Sequence, residues 1–77
     1  MEVDVKVMTH ESIVHSQIVA IENLLARPIA CDLTLNIKGI RSNIVFHISE
    51  EELERVKAEL GYKIFIKRNN DWVEVTE

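Results

Sequence analysis

Apolar and polar side chains alternate along two stretches on either side of Lys38-Gly39. Ile29, Cys31, Leu33, Leu35 and Ile37 share one parity, as do Ile40, Ser42, Ile44, Phe46 and Ile48. Because side chains alternate across a strand, a two-residue loop at Lys38-Gly39 gathers all ten on one face of a hairpin. The strands then run over 29–37 and 40–48, with Leu35 opposite Ser42, Leu33 opposite Ile44, Cys31 opposite Phe46 and Ile29 opposite Ile48. The reverse face carries Asp32, Thr34 and Asn36 on one strand and Arg41, Asn43, Val45 and His47 on the other. Gly39 suits the second loop position of a type I′ turn, where φ is positive.

The same period marks a first strand over 2–8, in which Val3, Val5 and Val7 alternate with Glu2, Asp4 and Lys6. A helix over 10–27 follows, capped by Thr9 or Ser12. Ile13, Val14, Ile18, Ile21, Leu24 and Leu25 gather on one side at about 100° per residue, with Gln17 at the edge of that arc. Pro28 disfavours helical geometry in the residue before it, which places the stop near Arg27. After the hairpin, Ser49-Glu50-Glu51-Glu52 is a capping box that starts a second helix over 50–60, with Ile48 and Leu53 at staple positions. Its inward stripe is Leu53, Val56 and Leu60, and Glu51 with Arg55 is an expected surface pair. Strands over 62–68 and 71–75 close the chain. A turn at Asn69-Asn70 sets Lys67 against Trp72 and Ile66 against Val73.

This βαββαβ order with a fifth strand appended makes an α+β domain spanning 1–77. It resembles the ferredoxin-like plait, in which two helices cover one face of an antiparallel sheet. With right-handed crossovers the resemblance implies the sheet order 5-4-1-3-2, with the second and fifth strands as edges. The functional signatures associated with that fold are absent. There is no aromatic RNA-binding segment, no MxCxxC metal loop and no Gly-and-Arg phosphate loop.

Composition narrows the chemistry. A chain of 77 residues is near the size at which folded monomers become marginal, so self-association is a natural supplement. The net charge of −4 works against a partner held mainly through phosphates. One cysteine excludes an intrachain disulfide, which fits the cytoplasm, and no run approaches the roughly 18 apolar residues of a membrane span. Cys31, paired with Phe46, is expected to be buried and inert, and the carboxylates of the SEEE run are explained by helix initiation. The three histidines lack the helical spacing that would place two on one metal. No enzyme activity, cofactor or metal is therefore expected.

What remains is the polar sheet face and its edges. The residues singled out for interaction are Asp32, Thr34, Asn36, Lys63, Phe65, Lys67, Arg68 and Trp72. Phe65 and Trp72 form an apolar patch with the stem of Lys67 expected across the indole, and His47, near Asp32, is a candidate hydrogen-bonded position. The leading expectation is a homodimer, or another protein partner, engaged through an edge strand or this face. The second strand carries no internal proline or lysine to blunt it. A nucleic-acid partner is the second reading, since open aromatic and basic faces stack bases and contact phosphates.

Overall fold

A computed structural model describes residues 1–35, 41–59 and 63–75. The Lys38-Gly39 turn, the Ile37–Ile40 pair and the site residue Asn36 lie outside the described residues, as do Leu60, Gly61 and Tyr62. The chain forms β1 (Glu2–His10), a 3₁₀ turn (Glu11–Ile13), α1 (Val14–Leu25), β2 (Asp32–Leu35), β3 (Arg41–Ser49), α2 (Glu50–Glu59), β4 (Ile64–Arg68) and β5 (Asp71–Glu74). The strands make one antiparallel sheet in the order β2-β3-β1-β4-β5, the order expected from right-handed crossovers. Among the described residues no helix is long and apolar enough to cross a membrane.

One parity of every central strand feeds the core. Val5 and Val7 of β1, Ile44, Phe46 and Ile48 of β3 and Ile64 and Ile66 of β4 join Ile21 and Leu25 of α1 and Leu53 and Val56 of α2 in a single buried cluster. Both helices therefore lie on the same side of the sheet. Both hairpin registers hold: Leu33 is opposite Ile44 and Asp32 opposite Val45, while Ile66 is opposite Val73 and Lys67 opposite Trp72. Asn69 and Asn70 adopt φ of 52° and 64°, the paired positive values of a type I′ turn.

Helix boundaries differ from the sequence reading for local reasons. β1 runs on to His10, whose ring nitrogen accepts from the Ser12 N–H at 3.1 Å and caps the 3₁₀ turn, so neither Thr9 nor Ser12 is the cap. α1 stops at Leu25, earlier than Arg27. Ala26 turns left-handed at φ 57°, and both its N–H and that of Arg27 end on the Glu22 carbonyl. This is a Schellman-type stop with alanine where glycine is usual. Pro28 accords with this stop, because it disfavours helical geometry in Arg27 before it.

β2 begins at Asp32, later than the expected Ile29, because its approach is tied to α1; the expected end at Ile37 lies outside the described residues. The Glu22 carboxylate accepts from the Ile29 N–H at 3.1 Å, and residues 29–31 stay out of the ladder. Ile29 and Cys31 still pack against the core. Gln17, placed by periodicity at the edge of the apolar arc, is only 8% exposed. Its Oε1, with Thr9 Oγ1 and Ser42 Oγ, is buried without a hydrogen-bond partner among the described residues.

At α2 the capping box forms as its spacing predicts. Ser49 Oγ accepts from the Glu52 N–H at 3.2 Å, and Glu52 Oε1 accepts from the Ser49 N–H at 3.0 Å. The same carboxylate receives Arg27 in a two-pronged contact of 2.9 and 3.0 Å, joining the end of α1 to the start of α2. These donors pull the Glu52 carboxyl down to about 2. On the surface of α2 the ion pair is Glu54 with Lys57 at 3.8 Å, in place of the expected Glu51 with Arg55.

Candidate functional site

The helices cover the three central strands and leave two regions for interaction: the reverse face of the sheet and its two edges. On the reverse face, register aligns side chains from different strands into rows. Asp32, Val45, Lys6, Phe65 and Glu74 lie in one row across all five strands. Neighbouring rows hold the Thr34–Asn43–Met8 positions and the Asp4–His47 and Lys67–Trp72 pairs.

Phe65 and Trp72 fall together as expected, with Lys67 over the indole as expected and a second, closer cation beside it. Lys6 of β1 places its ammonium 4.9 Å from the centroids of both rings, while Lys67 stands 5.7 Å from the indole. Lys6 is closer because β1 is hydrogen-bonded to β4, so a β1 side chain rises directly beside Phe65. A cation over two ring faces is attracted by their quadrupoles, which anchors the aromatic pair to the middle of the sheet. His47 takes the hydrogen-bonded position for which it was a candidate. Its Nδ1 contacts Asp4 Oδ1 across the β1–β3 ladder. Arg41 reaches Met8 Sδ at 3.9 Å from its Nη1.

Of the residues singled out from the sequence, Asp32, Thr34, Phe65, Lys67 and Trp72 take positions on the reverse face. Lys63 precedes β4; its carbonyl accepts from the Met8 N–H at 3.2 Å. Arg68 stands apart from these. Alternation in β4 assigns it to the face of Ile64 and Ile66, and it borders an open groove of about 410 Å³ where Glu2 and Asp4 approach the β4–β5 turn. The groove mixes Glu2, Asp4 and Glu50 with Lys67 and Arg68, so it offers no single sign of charge.

The sequence reading missed Lys6 as the closer ring-bound cation and Asp4 as the partner of His47. Both depend on the register of β1, which no short turn fixes.

The edges differ from the expected picture in one respect. Leu33 keeps its place opposite fully buried Ile44 yet is 57% exposed, and Val73, opposite Ile66, is 43% exposed. Alternation assigned the correct side of the sheet, but the described helices do not reach over the outer strands. Cys31 is half-buried; desolvation raises its thiol pKa, reinforced by the negative charges of Glu22 and Asp32. Among the described residues no three His, Cys, Asp or Glu side chains are grouped to hold a metal ion. No protein-family model matches the chain, and neither curated proteins nor solved structures yield a match.

Proposed function

We propose that the chain is a ferredoxin-like plait with one strand appended, serving in the cytoplasm as a small, non-enzymatic protein–protein interaction or regulatory module that self-associates. The observation that carries this reading is Leu33, an apolar side chain 57% exposed on the edge strand β2. An open edge presents unpaired backbone donors and acceptors, and an exposed leucine beside them adds apolar area that gains from being covered. The chain's size adds weight, because a second copy extends a core that is modest at 77 residues. The non-enzymatic part rests on side-chain engagement. Burial and the charges of Glu22 and Asp32 raise the Cys31 thiol pKa and so disfavour its thiolate, and Glu52 is committed to Ser49 and Arg27.

Light scattering or sedimentation at micromolar concentration tests the reading. The expected mass is twice that of the 8.9 kDa chain, falling toward the single-chain value on dilution; a species of 8.9 kDa at every concentration rejects it.

A second reading follows from the Lys6–Phe65–Trp72 cluster with Lys67 beside it, a ring-and-cation surface of the kind that receives single-stranded nucleic acid. Titration of single-stranded oligonucleotide at two salt concentrations, followed by Trp72 fluorescence, tests it. Salt-sensitive quenching supports this reading, and no quenching removes it.

A further inference from the structure

The backbone of β2 specifies how a second copy would dock. In an antiparallel ladder, opposed residues alternately exchange both hydrogen bonds or none. The Met8 N–H donates to the Lys63 carbonyl, so Lys6 and Met8 turn their backbone groups toward β4, while Val5, Val7 and Thr9 turn theirs toward β3. On β3 that commits Ser42, Ile44 and Phe46 to β1 and leaves Asn43 and Val45 to meet Thr34 and Asp32. The N–H and C=O of Leu33, between those two, therefore point out of the sheet. The residue with the exposed apolar side chain also offers its backbone at the edge.

From this we infer that two copies of the chain join β2 to β2 about a two-fold axis through Leu33, so that two five-stranded sheets become one continuous sheet with all four helices on the same side. This deepens the self-association reading and rests on it. Directly opposed residues share a face, so a symmetric pairing that keeps both helix layers together must be centred on a residue. Centred on Asp32, it would set two carboxylates against each other, which is destabilising. Centred on Leu33, it brings Leu33 against its own copy on the helix side and Asp32 against Thr34 of the second copy on the reverse side, twice. Each Thr34 hydroxyl then donates to a carboxylate, and the two Leu33 backbones exchange both hydrogen bonds.

The other edge is a poorer match. Just past β5 the Val75 N–H donates to the Ile64 carbonyl, so Trp72 and Glu74 carry the outward backbone groups. A ladder centred on Trp72 would run Glu74 into Asn70, which is held in the turn at φ 64°. Two of the four β5 residues are also acidic.

The test uses the full chain with Cys31→Ser and one new cysteine, at Leu33, Thr34 or Val73, oxidised under conditions where the unsubstituted chain is dimeric. Residues on the two-fold axis of a hydrogen-bonded pair have Cα atoms about 5.5 Å apart, within disulfide reach, whereas the Thr34 copies are offset diagonally at about 7–8 Å. Leu33→Cys is expected to form covalent dimer at least about tenfold faster than Thr34→Cys or Val73→Cys. Leu33→Pro removes only an outward N–H and is expected to reduce the mass to that of one chain with the far-ultraviolet dichroism retained. Faster linking by Thr34→Cys or Val73→Cys overturns this geometry and leaves self-association standing. A chain that is monomeric throughout overturns both.

Discussion

The two faces of the sheet use the same strands and achieve different things. On the helix side, Val5, Val7, Ile44, Phe46 and Ile48 are all but inaccessible, and the side chains have one arrangement available. On the reverse side, Lys6, Val45, Phe65 and Trp72 are half-buried, and among the described residues no second layer covers them. The first face holds the fold together by excluding water; the second is held by cation–ring contact and cross-strand pairs, each individually weak. Stability therefore sits on one side of a single sheet, and the described helices leave the other side and the rims uncovered.

The largest effect should come from the sealed side. Phe46→Ala is expected to cost about 3–5 kcal/mol, read as a lower midpoint in urea, whereas Trp72→Ala, removing a larger ring from the open side, should cost well under half as much. Equal losses would mean that the open face carries the core. Next in size, and opposite in sign, is Ala26→Gly. An alanine at φ 57° bears a steric penalty that glycine avoids, so the variant is expected to gain about 1 kcal/mol in the same measurement. On the open face, Lys6→Gln should cost about 0.5–1 kcal/mol and shift Trp72 emission as the cation leaves the ring.

The smallest change at neutral pH is expected from Glu52→Gln, which keeps an acceptor for the Ser49 N–H but removes the charge facing Arg27. In the native chain the Glu52 carboxyl is lowered from 4.5 to about 2. Its contribution is therefore complete above about 4.5 and is lost as pH falls through about 2. The variant should lack that part of the acid dependence, which thermal unfolding from pH 6 to pH 2 would show as a flatter profile.

The pairing of β2 with β3 and of β4 with β5 was legible in the sequence because alternation fixes faces, as Leu33–Ile44 and Lys67–Trp72 demonstrate, and at Asn69-Asn70 a two-residue turn fixes the register. The Ser49–Glu52 box was legible because capping is local. The reach of the helices was not. Period-two spacing says which side Leu33 takes but not whether a helix extends over it, and an edge strand is where those two questions separate. The end of α1 was misplaced by two residues because alanine carries no signal for a left-handed stop. On the candidate surface, Phe65 and Trp72 were found through their own hairpin, whereas Lys6 and Asp4 were missed because β1 meets its neighbours only through long crossovers.

Glu22 has a bearing on how the molecule opens. Its carbonyl receives the amides of Ala26 and Arg27, and its carboxylate receives that of Ile29. Loosening the last turn of α1 therefore releases the lead-in to β2 in the same event. These amides should exchange with solvent deuterium as one cooperative unit, earlier than the central strands, so that the rim of the sheet loosens while its middle stays closed.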